Sequence, residues 1–145
     1  MITAELVREL VRRKEMIRNL YHDYYRHLEL KEFEKASEDL WGIFNNVISM
    51  LSLLKKGRPI GRHRELGEFL DVLIHEMVSE RPREADVIKR TLEEGFLACR
   101  RLHANFFHGF MDEDMFKKDR EKAEALIRLL ERKLHEELSK LGIAL

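Results

Sequence analysis

Apolar residues recur at steps of three and four along nearly the whole chain, and prolines and glycines interrupt this pattern at a few points. Such spacing places apolar side chains on one face of an α-helix. No segment of useful length alternates apolar and polar residues, as a half-buried β-strand would. Because the connections between the periodic segments are short, the sequence predicts an all-α fold, namely a five-helix antiparallel (up-and-down) bundle.

The interruptions also locate the ends of the helices. The predicted helices run from about Ala4 to Leu28, from Phe33 to the glycine Gly57, from His63 to Ser79, from Glu84 to His108, and from Asp112 to Gly142. Thr3 and Asp112 are suitable N-caps, and Gly57 is a suitable C-cap. The second helix has an unusually wide apolar face, which is typical of a central helix or of a subunit interface. We expect a homodimer whose interface combines this face with the aromatic residues near the end of the fourth helix.

Chain length and cysteine content limit the class of protein. A chain of 145 residues fits one domain, residues 1–145. The single cysteine, Cys99, cannot form an internal disulfide, so a reducing cytoplasm is the simplest compartment. The N-terminal residues are charged where a signal peptide needs an apolar run, and no segment approaches the ~20 apolar residues of a membrane span. We therefore expect a soluble cytoplasmic protein without a membrane partner.

The charges are abundant but balanced, with 27 basic and 27 acidic residues. A general electrostatic attraction to nucleic acid is excluded by this balance, so RNA binding would need a local basic patch. The charged fraction of 37% and the absence of glutamine are typical of a protein from a thermophile.

Three segments together resemble the archaeal PaREP family, which belongs among the HEPN-like helical bundles. Residues 33–42 read Phe-Glu-Lys-Ala-Ser-Glu-Asp-Leu-Trp-Gly and resemble the family's aromatic-x-x-Ala-Ser-Glu-x-Leu-Trp-Gly signature. Residues 63–66, His-Arg-Glu-Leu, and residues 102–107, Leu-His-Ala-Asn-Phe-Phe, resemble two further family blocks in the same order. Lys31-Glu32 departs from the usual Gly-Asp, and His108 stands where an acidic residue is common.

The resemblance implies a HEPN-like antiparallel bundle that usually forms homodimers, and it implies no cofactor. Relatives within the wider superfamily include metal-independent endoribonucleases and non-catalytic partners of nucleotidyltransferases. The primary hypothesis is a non-catalytic dimeric interaction module that contacts a protein or nucleic-acid partner. The alternatives are an endoribonuclease and a helical partner of a nucleotidyltransferase. In the family motifs, Trp41, His63, His103 and Asn105 have no assigned role.

The ribonuclease hypothesis depends on an Arg-x(4–6)-His spacing, which Arg101 and His108 satisfy. A histidine can exchange a proton with a ribose 2′-hydroxyl, and an arginine can stabilise charge on the phosphate. At 100° per residue, Arg101, Asn105 and His108 lie within about 60° of one another on the fourth helix. We expect this trio to face solvent or a groove between subunits, with Asn105 positioning the substrate. A solvated helix face is the simpler interpretation.

Other polar residues have both a structural and a functional interpretation. His103 is expected to be a core histidine that bonds to a carbonyl or carboxylate across the bundle, although a site residue is the alternative. The densest basic patch, a possible phosphate or RNA contact, consists of Lys55, Lys56, Arg58, Arg62 and Arg64. No histidine has an acidic residue three positions before it, so the Glu-x-x-His pairs of di-iron bundles are missing. We expect no metal site.

Overall fold

The computed structural model describes residues 2–145, and within them the chain forms five α-helices and no strand. The helices are α1 (Ala4–Glu29), α2 (Phe33–Lys56), α3 (His63–Glu80), α4 (Ala85–His108) and α5 (Glu113–Lys140). A short 3-10 turn, Pro82–Glu84, connects α3 to α4 because Pro82 cannot continue an α-helix. The prediction of an all-α fold with five helices is confirmed.

The polar groups at the helix ends are satisfied where the sequence indicated caps. The Thr3 side chain accepts a hydrogen bond from the Leu6 amide at 3.1 Å, and Asp112 accepts one from the Met115 amide at 2.8 Å. Gly57 ends α2 in the left-handed conformation, with φ of 75°. These side chains and this glycine satisfy amide and carbonyl groups that a helix leaves unpaired at its ends, so the three capping predictions are confirmed.

The second helix is the central element of the bundle, since it packs against α1, α4 and α5. Its buried residues occupy nearly every position from 36 to 53 and include Leu40, Phe44, Val47 and Leu51, none of which has any exposed surface. The expectation that the wide face of α2 forms a subunit interface is therefore wrong, because three helices of the same chain already cover it. A helix that is apolar almost all round is buried inside a single chain as readily as between chains.

Helix α3 packs mainly on α4, and its buried residues are Leu66, Phe69, Leu70, Leu73, Ile74 and Met77. Buried apolar residues of all five helices join in one continuous core. None of the helices within residues 2–145 combines the length and the apolar character needed to cross a lipid bilayer.

Candidate functional site

The three segments that the sequence singled out meet in one place. Trp41 of α2 stacks on His103 of α4 with ring centroids 4.5 Å apart, and on His63 of α3 with centroids 5.8 Å apart. Phe107 meets the His103 ring edge-on at 5.3 Å. These four rings together with Glu38 are called the Trp41 cluster. It joins the start of α2, the start of α3 and the last turns of α4.

Within the Trp41 cluster, Glu38 holds the ring of His103. The Nδ1 atom of His103 lies 3.0 Å from Oε1 of Glu38, and about 29% of the His103 side chain is exposed. Every buried side-chain nitrogen or oxygen of residues 2–145 has a hydrogen-bond partner. The other ring nitrogen of His103, Nε2, has no partner among these residues. That nitrogen therefore reaches the surface. A histidine oriented by a carboxylate on one nitrogen can exchange a proton through the other.

His103 thus combines the two interpretations that the sequence left open. It bonds to a carboxylate across the bundle, as a core histidine would, and yet its ring lies at the edge of the core. Sequence reasoning missed Glu38 as its partner, since the two residues are 65 positions apart. The only available signal was that Glu38 and His103 both fall inside the resembling segments.

Asn105 is buried, and its hydrogen bonds connect α4 to α2 and to the segment that follows α4. Its amide nitrogen donates to the hydroxyl of Ser37 at 3.2 Å, and its amide oxygen accepts from the Met111 amide at 2.9 Å. Only 1% of the residue is exposed. The expectation that Asn105 shares a solvent-facing side with Arg101 and His108 is wrong, because its amide is bonded at both ends inside the bundle and its burial keeps it from a substrate.

Arg101 is engaged by α5. Its guanidinium donates two hydrogen bonds to the Asp119 carboxylate, at 2.8 and 2.7 Å, in the fork geometry that arginine favours. The hydrogen bond with Asp119 raises the pKa of Arg101. His108, the last residue of α4, is exposed and has no partner in the described part of the chain. Arg101 therefore offers less free donor capacity to a phosphate than its spacing from His108 indicated.

The buried side of α4 explains why the predicted trio separates. Its buried residues are Ile88, Leu92, Gly95, Ala98, Cys99, Leu102 and Asn105. On a helical wheel these positions span an arc that ends between Asn105 and Arg101. Arg101 lies just outside the arc, where its side chain reaches α5. Cys99 lies inside it, fully buried, and burial raises the pKa of its thiol, so the thiol is unreactive.

The predicted basic patch is largely paired with glutamates. Arg58 and Arg64 lie 3.4 and 3.3 Å from carboxylate oxygens of Glu65 and Glu68, respectively. Lys55 binds Glu76 at 2.7 Å, and Lys56 lies over the ring of Phe69. Arg62 precedes α3 without a side-chain capping bond. The surplus of positive charge here is therefore smaller than the sequence indicated, which weakens this surface as a phosphate contact.

A group of carboxylates that the sequence did not single out surrounds a buried lysine. Glu76, Glu80 and Glu137 lie with carboxylate oxygens within 4.8 Å of one another, a spacing that metal sites also use. Here the Nζ of Lys133 lies 2.9, 2.9 and 2.8 Å from the three carboxylates, and only 1% of its side chain is exposed. The three ammonium hydrogens thus each have an acceptor, and the protein's own cation occupies the centre.

The last turn of α4 and the connection after it expose three phenylalanines. Phe106, Phe107 and Phe110 are 39%, 65% and 45% exposed, and they are called the α4-end patch. The rings of Phe106 and Phe107 are 5.1 Å apart and nearly perpendicular. Phe106 lies one turn beyond Leu102, the last buried apolar residue of α4, and is exposed. Adjacent exposed aromatic rings are typical of a contact surface.

No model of a known protein family, no curated protein and no solved structure matches this chain. The resemblance to the PaREP family stays a prediction.

Proposed function

We propose that the chain is a non-catalytic helical interaction module that acts as a homodimer, with the α4-end patch as its contact surface. The exposure of Phe106 and Phe107, whose rings are 5.1 Å apart, and of Phe110 just beyond the end of α4 is the observation that carries this proposal. A two-fold interface pairs a surface with its own copy, and a patch of phenylalanines is complementary to itself because it presents no charge to repel its copy. Of the two surfaces predicted to form the interface, the aromatic end of α4 is therefore kept and the α2 face is not.

The proposed arrangement is an antiparallel bundle of HEPN-like type, and the order of contacts supports it. Arg13 contacts Asn46 while His27 contacts Asp39, so rising numbers in α1 meet falling numbers in α2. The pairs that join α2 to α4 follow the same order: Ser37 with Asn105, and Phe44 with Phe96. Helices α1 and α2 are joined by a short connection and have the order expected of such neighbours. Helices α2 and α4 are not consecutive and would run parallel in a strictly up-and-down bundle, so their antiparallel order departs from the predicted up-and-down connectivity.

Dimerisation through the α4-end patch predicts a specific effect of one substitution. Phe107→Ser is expected to weaken self-association at least tenfold, or about 1.4 kcal/mol, since it removes the most exposed ring of the patch. The matched control is Leu97→Ser, which removes a 51% exposed apolar side chain from the same helix away from the patch. Sedimentation velocity over a concentration series measures both. A wild-type chain that stays monomeric at high micromolar concentration would overturn the proposal, as would equal effects of the two substitutions.

The endoribonuclease alternative receives little support from the geometry, because Arg101 is bound by Asp119 and Asn105 is buried. We expect labelled single-stranded and structured RNA to stay intact when incubated with the protein in excess chelator. Arg101→Ala and His108→Ala serve as the comparison. Cleavage by the wild type that both substitutions abolish would contradict the non-catalytic proposal and establish the alternative. Equal cleavage by all three proteins would indicate a contaminating nuclease.

A further inference from the structure

An open apolar groove runs between α1 and α5 on the side of the bundle away from the Trp41 cluster. Its volume is about 620 Å³, within the range of roughly 300–1,000 Å³ that small-molecule sites occupy. The apolar side chains that line it come from three helices and the C-terminal segment: Ile17, Val47, Met50, Leu134, Leu138 and Ile143. This set is called the floor of the α1–α5 groove.

The floor combines core residues at its base with four side chains that keep some exposed surface, namely Ile17, Leu134, Leu138 and Ile143. Val47 and Met50 belong to the central helix α2 and are almost fully buried at the bottom of the groove. Beyond α5, Gly142 adopts a φ of 69°, which turns the chain so that Ile143 and Leu145 line the groove. An elongated apolar ligand would therefore contact side chains along its length and meet the segment 143–145.

The groove also carries positive charge on the α1 wall. Lys14, Arg18 and Tyr21 follow one another at steps of four and three, which places them on one face of α1. Arg18 is exposed and has no hydrogen-bond or ion-pair partner among residues 2–145. The one carboxylate in the lining, Glu131, already accepts a hydrogen bond at 2.8 Å from the hydroxyl of Tyr21. A ligand oxyanion at this wall would therefore find unpaired positive charge at Arg18 alone, since Lys14 bonds to Leu145 and the hydrogen bond from Tyr21 leaves the Glu131 carboxylate charged.

The C-terminal segment of the chain already places an oxygen acceptor next to an apolar side chain in this groove. Lys14 donates a hydrogen bond to the main-chain oxygen of Leu145. Leu145 lines the groove together with the apolar side chain of Ile143, two residues before it. An oxygen acceptor at the end of an apolar segment thus already lies against the α1 wall. Arg18, one turn further along α1, is the cation that remains for a second such acceptor.

We propose that the α1–α5 groove binds a free medium-chain fatty acid, with the acyl chain on the apolar floor and the carboxylate at Arg18. The apolar floor selects a hydrocarbon chain, because burying it removes apolar surface from water. The guanidinium selects a carboxylate, which it binds through two parallel hydrogen bonds. This proposal goes beyond the interaction module and is independent of the α4-end patch.

Isothermal titration calorimetry with sodium decanoate, kept below its micelle concentration, tests the proposal. The wild-type protein is expected to bind one decanoate per chain saturably, and decan-1-ol is expected to bind at least fivefold more weakly because it carries no charge. Arg18→Gln is expected to reduce the affinity for decanoate at least fivefold while leaving that for decan-1-ol unchanged. The matched control is Arg8→Gln, which removes an exposed arginine of α1 that does not line the groove.

A second variant tests the location without altering charge. Ser139→Trp adds a large side chain at an exposed lining position of α5 and is expected to reduce decanoate binding at least tenfold. Circular dichroism and thermal unfolding check that the variant is folded. Absence of saturable binding by the wild type, equal effects of Arg18→Gln and Arg8→Gln, or undiminished binding by folded Ser139→Trp would each overturn the proposal. The proposal would also be overturned if the wild type bound no decanoate and Ser139→Trp lost self-association. The groove would then be an interface between copies of the chain.

Phe107→Ser separates this proposal from the proposed function. Decanoate affinity is expected to be unchanged in that variant, because Phe107 lies in the α4-end patch and not in the lining of the groove. A loss of decanoate binding with the loss of the dimer would overturn the assignment of the ligand to the groove of a single chain.

Discussion

Replacing Lys133 with methionine is expected to lower the free energy of unfolding by about 3 kcal/mol at pH 7, because it leaves three crowded carboxylates without their central cation. Carboxylate oxygens of Glu76, Glu80 and Glu137 lie within 4.8 Å of one another. Glu76 has a second cation, Lys55, at 2.7 Å, and Glu137 has an exposed one, Lys140, at 3.5 Å. Methionine fills a similar volume, so the loss reports charge more than packing. Chemical denaturation with urea measures the effect.

The matched control for this prediction is Lys140→Met. Lys140 also contacts Glu137, at 3.5 Å, but about 60% of its side chain is exposed. Water and salt screen an exposed pair, so the control is expected to change the free energy of unfolding by less than about 0.5 kcal/mol. Equal losses in the two variants would show that the buried position of Lys133 has no special importance.

The same cluster predicts the pH dependence of the loss. Burial would raise the pKa values of Glu76 and Glu137, but hydrogen bonds from lysines outweigh burial and lower both. A carboxylate with a lowered pKa stabilises the fold above its ordinary value, about 4.5, and this contribution is lost as the pH falls through the lowered pKa. Without Lys133, repulsion among the three carboxylates would instead raise the pKa values of Glu76 and Glu137. Protonation would then remove this destabilising repulsion from the variant.

The expected result is that the difference in unfolding free energy between wild type and Lys133→Met shrinks as the pH is lowered from 7 to below 4.5. Two effects contribute with the same sign: protonation removes the repulsion in the variant first, and below about pH 4.5 the wild type loses its stabilising contribution. Urea denaturation curves recorded at several pH values measure this difference. A difference that grows on acidification would refute the electrostatic explanation.

Gly95→Ala is expected to destabilise the protein by about 2 kcal/mol, although alanine is the better helix former by about 1 kcal/mol. A β-carbon at position 95 would lie 2.4 Å from Cβ of Leu126 and 3.0 Å from the main-chain oxygen of Lys122. Neither atom is the free end of a flexible side chain, so α4 and α5 would have to separate. Thermal unfolding measures the loss.

Gly67→Ala is the control with the opposite expected sign. Gly67 lies inside α3, and a β-carbon there would lie 4.0 Å from Cε2 of Phe96, an ordinary van der Waals contact. This substitution is expected to stabilise the protein by about 0.5–1 kcal/mol, since it reduces the conformational freedom of the unfolded chain. Stabilisation by both substitutions would disprove the close contact between α4 and α5.

The helices were predictable because their signals are local. Periodic apolar residues and the caps Thr3, Gly57 and Asp112 depend only on neighbours along the chain. The surroundings of a polar residue depend on how far a neighbouring helix wraps around it. Asn105 and Arg101 are only about 40° apart on the helical wheel, yet Asn105 is buried and bonds to Ser37 of α2, whereas Arg101 is paired with Asp119 of α5.

Polar contacts between distant segments were not predictable for the same reason. Lys133 is one of 27 basic residues, and nothing in its immediate sequence marks it as the single buried lysine within residues 2–145. The bond between Glu38 and His103 requires the relative position of α2 and α4, which periodicity leaves open. The exposure of Phe106 depends on where along its length α4 stops packing against other helices. A helical wheel shows only the angle of a residue around the helix axis, so it contains no such information.

The two bonds of Asn105 have a consequence for association. The amide of Met111, next to Phe110, is held by Asn105, and Asn105 is in turn held by Ser37 of α2. The turn that carries the exposed rings is therefore already ordered before any partner arrives. Because ordering a loop on contact opposes binding, a surface fixed in advance loses little conformational entropy when it is covered. Asn105 would thus lower the entropic cost of the proposed association at the α4-end patch without touching the partner.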